Sequence, residues 1–148
     1  MSFYKYLKEH AEKDPSHLAI IEGDTCLSYG EFVSQIERFA RAISKLELNA
    51  NSKIGLLCLN QKEYLVVFFA ALLKGVPVIP FNFLLKPKDL LYIAQDAGID
   101  TLVVDSNFVK PELAVFFKFF CNKIFVGPAN PKQMGEGALN WEEFMAMG

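Results

Sequence analysis

The chain has 148 residues, with 15 Lys and Arg against 17 Asp and Glu, for a net charge of −2. With a pI near 5.7, bulk charge disfavours a nucleic-acid surface. The length suits one domain that buries roughly 70% of its unfolded surface, and neither a signal peptide nor a membrane span is evident, so a cytoplasmic protein is expected.

Residues 2–13 read as a first helix with Phe3, Tyr4, Leu7 and Ala11 on one side, ended by Pro15. "LAIIEGDTCLS" predicts a β-hairpin, with Gly23 supplying the positive φ of the turn. In "SYGEF", Ser28 and Glu31 have capping-box spacing. The helix they open carries Phe32, Val33, Ile36, Phe39, Ala40, Ile43 and Leu46 at steps of three and four, a single core-facing stripe.

Residues 53–59 form an apolar run without alternation, which predicts a strand covered on both faces, as in parallel sheets. A helix over 63–74 follows, apolar nearly all round and stopped by Gly75. Strands are expected at 76–80, 101–104 and 123–126, with helices over 87–97 and 111–120 between them. Residues 127–140 read as a surface loop, and Asn140 as the cap of a last helix over 141–147. This alternation predicts a three-layer α/β fold: a mostly parallel sheet flanked by helices, preceded by a small hairpin.

Chemistry is harder to find. "LKGVPVIPFN", residues 73–82, places Lys74 before Gly75 and a strand where a phosphate loop needs a helix, so that reading fails. Gly135 and Gly137 have no strand leading into them and fit a loop. His10 and His17 lie in polar sequence, too few for a zinc site. Cys26, Cys58 and Cys121 sit in apolar contexts that predict buried free thiols in a reducing compartment. Asp105, Asn60 and Asn82 follow strand ends, where a ligand crevice or a local turn could use them, and turn chemistry is the preferred account. Phe116, Phe117, Phe119 and Phe120 read either as an aromatic substrate box or as a helix buried on all sides. With a mean hydropathy of +0.21, some helix faces are expected to pack against protein outside these residues.

"LAII" at 18–21, "LSYGEF" at 27–32, "IGLLCLN" at 54–60, "FFAALLKGVPVIPFN" at 68–82 and "LLKPKDLLYIAQDAGIDTLVVD" at 84–105 occur in a telling order. From about residue 3 to 144 the chain resembles the amino-terminal part of the adenylate-forming (AMP-binding) acyl-CoA synthetases. One departure is "NANSKI" at 49–54, where the family has Gly-Asp before a basic residue. The resemblance implies one amino-terminal subdomain, residues 1–148, of an ATP-dependent acid–thiol ligase. Such an enzyme adenylates a carboxylic acid, here a fatty acid, and passes the acyl group to CoA.

In that family the phosphate loop, adenine-contacting aromatic, ribose-binding Asp, metal-associated Glu and catalytic Lys all follow the segment seen here. No catalytic, cofactor-binding or metal-binding residue is therefore carried over. ATP, Mg and CoA are implied for the whole ligase, with the remainder of the ligase as partner and the isolated 148 residues inactive and self-associating. The competing expectations are a stand-alone binding or assembly module and an adenylation domain for an amino or aryl acid.

Overall fold

A computed structural model describes residues 2–148, and its architecture follows from the hydrophobic patterning. Helix α1 (Phe3–Lys13) leads into a hairpin of β1 (Leu18–Glu22) and β2 (Thr25–Ser28), turned at Gly23 with φ +55°. Helix α2 (Tyr29–Ile43) starts at the expected capping box: the Glu31 amide donates to Ser28 Oγ at 3.1 Å, and the Ser28 amide to Glu31 Oε2 at 2.8 Å. It buries Phe32, Val33, Ile36, Phe39, Ala40 and Ile43, and tightens into a 3₁₀ turn at Ser44–Leu46.

The sheet comprises β3 (Ile54–Leu57), β4 (Val78–Pro80), β5 (Thr101–Asp105), β6 (Asn122–Val126) and β7 (Ala138–Asn140), all parallel. Its order is β4-β3-β5-β6-β7. β3 and β5 are buried along their whole length, which is what unbroken apolar runs require of central strands. β4 lies at one edge of this sheet, so the missing amides of Pro77 and Pro80 interrupt little of the ladder.

Side chains alternate between two cores. Ile54, Leu56, Cys58, Val103 and Ile124 face the hairpin, α1, α2, α3 (Lys62–Lys74) and α6 (Trp141–Ala146). Leu57, Leu102, Val104 and Phe125 face α4 (Pro87–Ala97) and α5 (Ala114–Lys118). The result is the expected three layers, with the hairpin as a separate two-stranded sheet.

Three local expectations are corrected. Ala138–Asn140 is not loop: it pairs in parallel with Lys123–Phe125 as β7, and Met134 of the preceding 3₁₀ turn is fully buried. The helix expected over 111–120 divides into a 3₁₀ turn at Pro111–Leu113 and the short α5, because Leu113 leaves helical geometry at φ −98°, ψ 8°. Phe3 is 72% exposed, so Tyr4 rather than Phe3 seats α1.

Tyr4 does so through a charged cluster. Its hydroxyl donates to Glu37 Oε1 at 2.5 Å, and Lys8 Nζ donates to the same oxygen at 2.8 Å. The Lys8 hydrogen bond, then that of Tyr4, holds the Glu37 carboxyl below its ordinary value. Burial, then the Glu37 hydrogen bond, pushes Tyr4 up to about 12 from 10.0. Stability from Glu37 is therefore present above the unfolded carboxylate value and lost as pH falls through the depressed folded value. Stability from neutral Tyr4 is present below pH 10.0 and lost as pH rises toward about 12. Glu37→Gln is expected to flatten the acid limb and to lower stability slightly at neutral pH. Urea titrations of both proteins at neutral and acid pH check this, and parallel losses on acidification count against the cluster.

Candidate functional site

Strand order locates the edge where ligands gather in α/β sheets. From β3 the chain passes through α3 to β4 on one side, then returns through α4 past β3 to β5. The direction of travel reverses between β3 and β5, and ligands bind outside the carboxyl ends of strands at such a point. Cys58, Leu59 and Asn60 follow β3 there; Ser106 and Asn107 follow Asp105 at the end of β5.

The side chains at this edge are mostly engaged in holding the backbone. Buried Asp105 accepts the Asn107 amide on Oδ1 at 2.8 Å, and Asn82 accepts the Leu84 amide on Oδ1 at 3.0 Å. Both are the local turns that the sequence favours. The buried Cys58 thiol donates to the Val103 carbonyl at 3.6 Å. Burial, followed by the charge of Asp105, pushes that thiol up to about 12, so it stays protonated and is no nucleophile. Asn60 is exposed and lines a groove of about 540 Å³ together with Ile20, Ile21, Gln61 and Tyr64. A second groove of about 400 Å³ is walled by Leu57, Leu90 and Phe108, with exposed Lys110 and Glu112 beside it.

The amino terminus of α3 opens onto the first groove, and it is already occupied. Gln61 provides no side-chain cap; instead Glu22 Oε2, from the hairpin, accepts the Lys62 amide at 2.6 Å. A carboxylate bound to that helix end displaces the anion such an end attracts. Lys62 Nζ meanwhile pairs with Glu63 Oε1 at 2.7 Å. This cap was beyond sequence reasoning, since forty residues separate its partners.

Lys74 and Gly75 lie at the other end of α3. Gly75 adopts φ +70° and its amide bonds the Ala71 and Leu72 carbonyls. A helix carboxyl terminus repels phosphate, which removes the phosphate-loop reading on physical grounds. Gly135 and Gly137 adopt positive φ in the loop over Lys123, whose ammonium burial pushes below its ordinary value.

His10 and His17 are exposed, their rings 5.2 and 6.1 Å from that of Tyr29. Among the described residues no group of three or more His, Cys, Asp or Glu could hold a metal ion.

Two further expectations meet the structure differently. Cys58 is buried, but Cys26 and Cys121 are exposed: Cys26 lies on the hairpin next to buried Leu27, where strand alternation turns it to solvent, and Cys121 precedes β6. Phe116, Phe117 and Phe120 are core, Phe116 edge-on to Phe81 at 5.4 Å, while Phe119 is partly exposed. The buried-helix reading holds for these three, and no aromatic substrate box forms around them. Among the described residues no helix is long and apolar enough to cross a membrane.

Fold and edge together define a parallel α/β unit with an open ligand edge, at which Asp105, Asn82 and Glu22 bond backbone amides. The chain belongs to the AMP-binding enzyme family, whose sequence profile matches residues 7–123. FadD8, a medium/long-chain-fatty-acid–CoA ligase of Mycobacterium tuberculosis, is 32% identical over 111 residues, covering 74% of this chain and 19% of that ligase. Gramicidin S synthase 2 of Brevibacillus brevis is 24% identical over 105 residues, 71% of this chain and 2% of the synthase. The solved structure of coronafacic acid ligase from Pectobacterium brasiliense superposes with a TM-score of 0.89 at 16% identity, over 99% of this chain and 29% of that one. The chain thus spans about a fifth of the length of the FadD8 ligase it matches.

Proposed function

We propose that these residues are one amino-terminal subdomain of an ATP-dependent acid–thiol ligase, which adenylates a carboxylic acid and transfers the acyl group to CoA. One observation carries this reading: the family match extends over residues 7–123, yet the matched part is a fifth of the FadD8 ligase. The polar groups at the strand ends hold turns and caps rather than reacting atoms. ATP, Mg and CoA belong in this proposal to the whole ligase, and the amino terminus of α3 at the ligand edge is already capped by Glu22.

Similarity to the medium/long-chain-fatty-acid–CoA ligase, 32% identical, favours a fatty acid as the substrate class. Similarity to the gramicidin synthase, at 24%, supports the amino-acid alternative less strongly. The isolated 148 residues are expected to fold and to catalyse no ATP–pyrophosphate exchange with fatty, aryl or amino acids. Measurable exchange by this chain alone overturns the assignment of a scaffold role. Exchange by the longer gene product with an amino acid, and not with a medium- or long-chain fatty acid, overturns the substrate class only.

A further inference from the structure

Exposed positions differ in kind between α3 and the two long helices α2 and α4. On α2 they are Glu31, Ser34, Arg38 and Arg41, and on α4 Lys88, Gln95 and Asp96 accompany Pro87 and Tyr92. On α3 every exposed residue ahead of Lys74 is large and apolar: Leu65 at 38%, Phe68 at 42%, Leu72 at 42% and Leu73 at 39%. The other side of the same helix is fully committed, with Val66, Val67, Ala70 and Ala71 buried in the core. Leu65 also lines the groove of about 540 Å³ beside Ile21, which is 70% exposed, so the apolar surface runs from the helix into a concave end. A contiguous patch of this kind marks an interaction surface.

We infer that the outward face of α3, with the groove between Gly23 and Leu65, is the seat of the remaining polypeptide of the same ligase. This rests on the reading that the chain is part of a longer ligase, and it names the surface through which the parts join. The length of the relatives favours this occupant: 99% of this chain superposes on the coronafacic acid ligase, but on only 29% of it, leaving most of that fold to be placed against this unit. α3 is the face suited to it, because α2 and α4 present charges that burial would strand without partners. Val115 and Tyr92, also exposed, stand among Lys88, Asp96 and Lys118 and remain in solvent.

Hydroxyl-radical footprinting of the 148-residue chain and of the full product of its reading frame tests this residue by residue. In the longer product, labelling of Leu65, Phe68, Leu72 and Leu73 is expected to fall to that of fully buried Phe39, while Tyr92 and Val115 label as in the short chain. Phe68→Lys with Leu72→Lys is expected to leave the melting of the short chain unchanged but to prevent its assembly with the remainder co-expressed as a separate chain. Undiminished labelling of α3 in the longer product, or equal protection of Tyr92 and Val115, overturns the inference and leaves the ligase reading standing. A reading frame that stops after codon 148 overturns the ligase reading and this inference together. In that event, protection of α3 that grows with concentration assigns the face to a second copy of the chain.

Discussion

Alanine at Gly55 is expected to destabilise the protein by about 1–3 kcal/mol, the ordinary cost of overpacking a filled core, and valine by more. Gly55 lies in β3 between Ile79 of β4 and Leu102 of β5, inside the sheet. A Cβ there would stand 2.5 Å from Phe81 Cε2 and 3.2 Å from Ile99 Cγ2. The Phe81 ring cannot swing aside cheaply, because it is buried and edge-on to Phe116 at 5.4 Å. The glycine is thus required by close approach, with no appeal to backbone freedom. Urea denaturation measures the loss, and the pair Gly55→Ala with Phe81→Leu tests its cause. If the clash is responsible, the smaller Phe81 side chain recovers part of the loss and the two changes are non-additive. Strict additivity, or a wild-type midpoint for Gly55→Ala, would show that the ring does not fill that space.

Gly55 also shows how far the sequence could be read. Its neighbours Ile54, Leu56 and Leu57 announce a strand covered on both faces, and they form one. Nothing local says that Phe81, twenty-six positions on, will occupy the volume its missing side chain leaves. The same division recurs elsewhere. The box of Ser28 and Glu31 and the stop at Gly75 are contacts within a few residues, and both were legible. The Glu22 cap on α3 depends on where the hairpin packs, and strand order depends on which crossover leads which way.

β7 escaped for a related reason. Three residues after a glycine-rich loop carry little pattern, and their pairing is decided by β6. Of the candidate site, the turn roles of Asp105 and Asn82 could be anticipated from residue type, since an Asx side chain bonds the amide two positions on. The apolar surround of α3 was legible too, but not its division into a buried and an open side, which is fixed by the position of α2.

Replacing Phe144 by alanine is expected to cost about 3–5 kcal/mol, a large share of the roughly 5–15 kcal/mol that holds a domain together. The family match ends at residue 123, yet α6 is built into the first core rather than appended to it. Phe144 is fully buried with its ring 4.8 Å from that of Phe39, and Trp141 stacks on Phe39 as well, at 5.1 Å. The sequence positions these rings by a local device: the Asn140 side chain accepts the Glu143 amide at 2.8 Å while Glu143 Oε2 accepts the Asn140 amide at 3.1 Å. That box starts α6 directly after β7, so both apolar rings fall on the side facing α2. Truncation at Phe144 removes the aromatic contact and leaves a cavity between α2 and α6, with transfer and cavity terms adding. Met147, 37% exposed beyond the helix, is the control, and Met147→Ser is expected to leave stability unchanged. Trp141 is the single tryptophan of the chain, so its fluorescence reports unfolding at this contact, alongside circular dichroism for the whole. Coincident transitions, both shifted to lower urea in Phe144→Ala, are the expected result. A fluorescence transition that precedes an unshifted circular-dichroism transition would mean that α6 detaches alone and that the core is complete without it.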